Sequence, residues 1–276
     1  MSFPLPLALM CCLFFVSLPS KSYASSERRS STHQTCDDRF IKQLENDPDD
    51  DNKGLVTSQV KMTPDTIITA YSDGIFPWDT DDEGNLNWHN PPERGVMDLN
   101  KIKIPERDMR YVQSFLNNPE YEWTVDKAFR EVVEECAEMT RYKRDARGNL
   151  IYDSNRNRVR DQRWITDEFI DNYTKLFESG HAHSFEAWHN GILVGGFYIT
   201  YVNGVPAGES MFHKEANVIK PLYYLFLQRM KENGHTIIDT QQAKPNSLVK
   251  RWGAEFVPRT TFMHLLRVEQ AKGLEF

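Results

Sequence analysis

Apolar residues recur along this chain in two periods, and the switch from one to the other lays out its elements. Val125, Phe129, Val132, Val133 and Cys136 fall at helical spacing within Val125 to Met139, and Glu106 to Asn117 reads the same way. Thr166 to Gly180 carries an apolar stripe of Phe169, Ile170, Tyr173, Leu176 and Phe177, with Gly180 as its stop. Shorter segments predict strands at Ser184–His189, Ile192–Tyr201, Gly208–Phe212, Thr236–Thr240 and Arg259–Leu265. Asn190-Gly191 and Asn203-Gly204 predict tight hairpin turns, because both central residues of such turns need positive φ. Pro221–Met230, closed by Asn233-Gly234, and Ser247–Trp252 predict further helices. Earlier, Thr63 caps a short helix over Thr66–Tyr71, with Pro64 at its first position and Gly74 after its end. The order implies an α+β fold, an antiparallel meander with crossover helices.

The N-terminus breaks this rhythm. Leu5 to Leu18 is almost wholly apolar, too short for a comfortable membrane span, and Ser22-Tyr23-Ala24 precedes Ser25 in the small-x-small form of a cleavage site. Residues 1–24 therefore read as a signal-peptide-like segment that exports the protein, although no Lys or Arg precedes the run; the other readings are an uncleaved anchor, an organellar targeting segment with Arg28 and Arg29 following, and a mis-called start codon. Residues 25–54, polar and turn-rich with Asp47, Asp49, Asp50 and Asp51, read as a poorly ordered leader. Cleavage after Ala24 removes Cys11 and Cys12, leaving Cys36 and Cys136 as the one pair available for a disulfide.

Composition narrows the classes. The 276 residues carry a formal net charge of −7, with 26% charged and 39% hydrophobic residues, which excludes a collagen, a disulfide-dense mini-protein and a generally disordered chain. The mean hydropathy of −0.60 excludes a multi-spanning membrane protein. Net acidity argues against broad nucleic-acid binding but leaves room for a local basic site. Arg141 to Arg163 supplies one, with eight Arg or Lys against Asp145, Asp153 and Asp161, and its Gly148 and Asn155 suggest a hairpin. That hairpin is either an exposed, solubilising insertion or a phosphate-contacting flap.

Carboxylates inside apolar strands are the informative polar groups, because an unpartnered buried polar group costs roughly 1–3 kcal/mol. Glu186, Glu209 and Asp239 are three such groups, each either a hydrogen-bonded structural carboxylate or a holder of an amine. His181 and His183 alternate on one face but have no third ligand at metal spacing, so no metal is expected. Phosphate-binding, dinucleotide and nucleophile-elbow motifs are absent. So is the glycine-rich pyrophosphate turn of CoA-dependent acetyltransferases, and no cofactor is expected.

Several stretches together carry a family likeness. Ala70-Tyr71-Ser72-Asp73-Gly74-Ile75-Phe76-Pro77-Trp78, Trp88-His89-Asn90-Pro91-Pro92-Glu93-Arg94 and Trp164-Ile165-Thr166 are followed by Gly180-His181-Ala182-His183-Ser184-Phe185-Glu186-Ala187-Trp188. Val194-Gly195-Gly196, Gly208-Glu209-Ser210-Met211-Phe212, Ile238-Asp239-Thr240-Gln241 and Gly253-Ala254-Glu255-Phe256-Val257-Pro258-Arg259 come next, in order. From about Gly54 to Leu266 the chain resembles the bacterial leucyl/phenylalanyl-tRNA–protein transferases.

The resemblance implies an acetyltransferase-like catalytic domain at 119–276, a mixed, largely antiparallel sheet with flanking helices, after a small N-terminal α/β domain at 55–118. It implies transfer of Leu or Phe from the 3′ end of aminoacyl-tRNA to the α-amine of a protein starting with Arg or Lys. It assigns catalysis to Asp239, which polarises Gln241, and to Glu186, which holds the cationic amine. It assigns substrate contacts to Trp78, Trp164, Glu209, Ser210, Met211, Phe212 and, across a two-residue insertion, Asn246. No stable membrane association is expected once the leader is removed. Departures ring the substrate region: Ser58–Thr63 replaces a glycine-rich family segment, and His213-Lys214 replaces Ser-Arg. A later family Ser is Ile219, and Thr240 replaces a Cys. Gln242–Pro245 is different and longer, and the basic insertion 141–163 replaces a short loop.

Overall fold

The computed structural model describes residues 54–276 apart from 59, 82, 84, 140–141, 143–148, 160–163 and 245–246. The export-like segment, the leader up to residue 53, Cys36, Gly148 and Asn246 lie outside these residues. The described residues belong to one compact unit.

A small sheet comes first. Strand β1 (Leu55–Thr57) and strand β2 (Phe76–Thr80) flank β3 (Leu86–His89), and helix α1 (Pro64–Ser72) lies between β1 and β2 in the chain. Thr63 and Thr66 form a reciprocal capping box at the start of α1, with Pro64 in its first turn, as the sequence suggests. From Glu93 onward the chain pairs into a second sheet, so the small sheet occupies only residues 55–89 of the segment 55–118.

That second sheet has seven strands. Its first members are β4 (Glu93–Asp98) and β5 (Tyr121–Val125), separated by α2 (Glu106–Leu116). Helices α3 (Phe129–Glu138) and α4 (Asp167–Glu178) follow, then the meander β6 (Ala182–His189), β7 (Ile192–Val202) and β8 (Val205–His213). Helix α5 (Ile219–Glu232) crosses over to β9 (Ile237–Gln241), and α6 (Leu248–Arg251), β10 (Glu255–Pro258) and α7 (Arg259–Gln270) complete the chain. The spatial order is β10-β4-β9-β8-β7-β6-β5, antiparallel throughout except between β8 and β9. The two hairpin turns of the meander are the Asn-Gly pairs, with φ of 50° and 79° at Asn190 and Gly191 and 51° and 74° at Asn203 and Gly204.

Both faces of this sheet are covered. Helix α5 packs Leu222, Phe226 and Leu227 with Phe185, Phe197 and Ile199 on one face, and α3 and α4 pack Val132, Phe169 and Tyr173 with Tyr198 on the other. The inner strand β7 is accordingly buried along almost its whole length. The architecture is the expected α+β one, a largely antiparallel sheet with flanking helices.

Two elements differ from the sequence reading. Val125 ends a strand, so the helix after it starts only at Phe129. Arg259–Leu265 is not a strand but the first half of α7. Its Thr-Thr-Phe run has strand-like composition, yet Pro258 ends β10 and starts a helix whose buried Phe262, Leu266 and Glu269 lie three or four residues apart. None of the described helices is long and apolar enough to cross a membrane.

Candidate active site

The one parallel pairing locates the site. Strands β8 and β9 meet at Ala207 and Asp239 and no further along the described ladder. Where they part, a cavity of about 600 Å³ opens. Gln241, the last residue of β9, turns away with φ of 50°, a left-handed conformation that costs a non-glycine residue on the order of 1 kcal/mol. Its backbone N–H donates to Asp239 Oδ1 at 2.8 Å, which holds the turn.

Asp239 is itself fixed by Arg94 of β4. Arg94 Nε donates to Oδ1 at 2.8 Å and Nη2 to Oδ2 at 2.5 Å, a bidentate pair in which both residues are buried. The third arm of the guanidinium, Nη1, donates to the Gly74 carbonyl at 2.9 Å, and the cation lies over the rings of Phe76 and Phe262 at 4.1 and 4.6 Å. Asp239 thus accepts from Arg94 and from the backbone N–H of Gln241.

The Gln241 side chain meets a different carboxylate. Its Nε2 donates to Glu209 Oε1 at 3.1 Å, and the same oxygen accepts from Tyr71 Oη at 2.6 Å and Thr200 Oγ1 at 3.0 Å. Tyr71 lies in the last turn of α1 and also faces Tyr173 Oη of α4 at 3.0 Å. Burial, reinforced by the Asp239 charge, raises the Glu209 carboxyl to about 7 against the opposing pull of its three donors. Burial and the neighbouring Glu209 push the Tyr71 and Tyr173 phenols well above their usual range, so both stay protonated donors. Because Glu209 and Tyr71 take the amide nitrogen of Gln241, its oxygen is left for another donor.

The remaining candidates divide. Trp78, Trp164, Glu209, Ser210, Met211 and Gln241 all line the cavity. Asp239 stands behind Gln241 rather than in the lining. Glu186 is not brought to this group. It is fully buried on β6, where it accepts from Ser184 Oγ, Thr124 Oγ1 at 2.6 Å and the Ala128 N–H at 3.3 Å. Three donors satisfy it there, and burial raises its pKa. Phe212 points the other way from Met211, as alternation along a strand requires, and is fully buried in the core under Gly196. His183 is bound to Asp126 through Nδ1 at 2.8 Å and stacked on Phe276 at 3.5 Å, with no group of metal ligands among the described residues. In the basic insertion, Tyr152 pairs with Arg158 across a turn around Asn155.

Residues that the sequence reading did not single out complete the site. Tyr71, Arg94, Thr200 and Tyr173 hold its polar wall, and Phe197, Tyr223 and Phe226 form much of its apolar one. Tyr71 and Arg94 sit inside two of the quoted motifs, so a signal for them was present. Thr200 and Tyr173 had none, because each resembles an ordinary core position.

Comparison with known proteins identifies a family. A family model described as leucyl/phenylalanyl-tRNA protein transferase matches residues 96–267, and one for the N-terminal domain of that transferase matches residues 61–92. A leucyl/phenylalanyl-tRNA–protein transferase of Salinibacter ruber is 34% identical over 201 residues, 73% of this chain and 77% of that protein. One of Hydrogenovibrio crunogenus is 32% identical over 219 residues, 79% of this chain and 77% of that protein. Among solved structures, FemX aligns with a TM-score of 0.38 at 12% identity, over 61% of this chain and 60% of that one.

Proposed function

The chain belongs to the leucyl/phenylalanyl-tRNA–protein transferase family, and from that premise we propose that it moves Leu or Phe from aminoacyl-tRNA to the α-amine of proteins beginning with Arg or Lys. The observation that carries this reading is the meeting of Glu209 and Gln241 on one wall of a cavity, with Tyr71 bonded to Glu209 behind them and much of the remaining lining aromatic and apolar.

The chemistry asks little beyond placement and proton removal. An aminoacyl ester is already activated, so the attacking amine must be positioned and deprotonated. The Gln241 amide oxygen accepts a hydrogen from the incoming α-ammonium and orients its nitrogen. Glu209, titrating near neutrality, balances the ammonium charge and takes the proton it sheds. The freed amine attacks the ester carbonyl, the carbon–oxygen bond to the ribose breaks, and the departing ribose oxygen receives the nitrogen's second proton. The products are an amide and tRNA with a free terminal hydroxyl. Asp239 and Arg94 fix the Gln241 turn and are positioning residues. Met211, Phe197 and Phe226 offer an unbranched or γ-branched side chain an apolar seat, and Trp78 and Trp164 offer stacking faces to the terminal base. Glu186 takes no part in this scheme.

Incubation with charged tRNA and an Arg-starting peptide tests the reading. Transfer of Leu or Phe is expected, with kcat/KM reduced by about 10²–10⁴-fold in E209Q and Q241A. Asp239→Ala, which releases the turn, abolishes transfer. Absence of incorporation from any charged tRNA by the folded protein overturns the proposal.

The apolar run Leu5–Leu18 and the site before Ser25 favour a second reading, an exported transferase that uses a donor other than tRNA. N-terminal sequencing with fractionation separates the two. Protein beginning at Ser25 in an extracytoplasmic fraction favours the exported form, and an intact N-terminus in the cytoplasm rejects it.

A further inference from the structure

Three donors converge on one oxygen of Glu209. Tyr71 Oη at 2.6 Å, Thr200 Oγ1 at 3.0 Å and Gln241 Nε2 at 3.1 Å all donate to Oε1, and no described residue donates to Oε2. Glu209 lines the cavity, so Oε2 is the oxygen open to a substrate.

The backbone explains why this carboxylate needs holding. In the β7–β8 ladder Ile199 faces Gly208 and Tyr198 faces Ser210, so Glu209 is the extra residue of a β-bulge and has no partner across the strands. A bulge re-aims a side chain but gives up local pairing, so the side chain must be fixed by other means. Thr200 supplies a fixed point. It is fully buried in β7 and faces Ala207 in the same ladder. Its hydroxyl makes one hydrogen bond among the described residues, and that bond goes to Glu209. Branching at Cβ restricts its rotamers, which makes it a stiff anchor. Tyr71 and Gln241 reach the carboxylate from α1 and β9, whereas Thr200 holds the bulge from within the hairpin that forms it.

We propose that Thr200 is a positioning residue for the transfer reaction: by pinning Oε1 of the bulged Glu209 it presents Oε2 to the acceptor's α-ammonium. Its hydroxyl also favours the charged carboxyl, because a donor bonds a carboxylate more strongly than a neutral acid. The other titratable groups around Glu209 are the phenols of Tyr71 on α1, Tyr173 on α4 and Tyr198 on β7, and Asp239 on β9, which is paired with Arg94 of β4. The assignment rests on the aminoacyl-tRNA reading above.

T200V keeps the shape of the side chain and removes the hydroxyl. With aminoacyl-tRNA saturating and an Arg-starting peptide varied, kcat/KM is compared between variant and wild type from about pH 6 to about pH 9, and the ratio cancels the acceptor's own titration. A loss of roughly three- to tenfold is expected at pH 7, shrinking toward pH 9 as the carboxyl ionises in both proteins. KM for the donor should stay unchanged. Denaturant midpoints over the same range need no turnover: the gap between T200V and wild type should widen as pH rises through about 7, because the lost bond is to the charged form. T200S, which returns the hydroxyl, should restore both. In the E209Q background the gap should no longer depend on pH. A hydroxyl that only packs the core would leave the ratio or the gap constant with pH, and either result overturns the proposal while the transferase reading stands. A wild-type protein that transfers from no charged tRNA overturns the transferase reading, and with it the role given to Oε2.

Discussion

At the scale of single residues, the two strand glutamates separate by what surrounds them. Glu186 and Glu209 look alike in sequence, each a carboxylate in an apolar strand. Glu186 has its donors on its own and adjacent elements and does not line the catalytic cavity, whereas Glu209 lines it and accepts from Gln241. E186Q should therefore keep most of its transfer activity, and E209Q should lose it, in a steady-state assay. The Glu209 carboxyl titrates at about 7 because burial disfavours its charge, so kcat/KM should rise with pH through that value and flatten above it. E209Q should remove the inflection. The stability consequence has the opposite sense: a carboxyl whose folded pKa exceeds its unfolded value binds its proton more tightly in the fold. Its contribution is then fully present below the unfolded pKa near 4.5 and is lost as pH rises to about 7. E209Q, which cannot ionise, should gain stability over the wild type above pH 7 by up to about 3 kcal/mol and gain least in acid. Denaturant titrations at two pH values check the sign.

At the scale of elements, local chemistry decides how legible each piece is. The Asn-Gly turns and the Thr63 cap are written in two or three adjacent residues, and the structure repeats them. The last helix is not: its Thr260-Thr261-Phe262 run has strand composition, and only packing of Phe262 and Leu266 with Val96 and Val205 makes it helical. The side-chain contact between Gln241 and Glu209 is less legible still, because the two are 32 residues apart in the chain. The Thr63 box matters beyond α1, since that helix delivers Tyr71 to Glu209. T63A should cost about 1 kcal/mol and lower Tm by roughly 2–4 °C. Thermal unfolding followed by circular dichroism measures this, and a variant as stable as the wild type would show that the cap is not limiting.

At the scale of the whole molecule, the site lies between the small sheet's approach and the large sheet, and one side chain joins them. Arg94 starts in β4 of the large sheet, grips Asp239 on β9, and reaches across to the Gly74 carbonyl just ahead of β2. Phe76 of the small sheet and Phe262 of α7 close over the same guanidinium. Such a buried pair adds little net stability as a unit, but removing one partner strands the other's charge, at about 3–5 kcal/mol. R94A should therefore lose that much stability and should lose transfer as well, because the Asp239 carboxylate no longer has a fixed place from which to hold the Gln241 turn. Adding D239N removes the stranded charge, so the double variant should recover part of the stability but not the activity. Hydrogen exchange should show which part of the molecule loosens. In R94A, protection should fall first around Ile75–Trp78, where the clamp on Gly74 is lost, while the β6–β7–β8 meander keeps its wild-type pattern. Equal loss of protection in both regions would mean that Arg94 supports the fold as a whole rather than joining two sheets across the catalytic cavity.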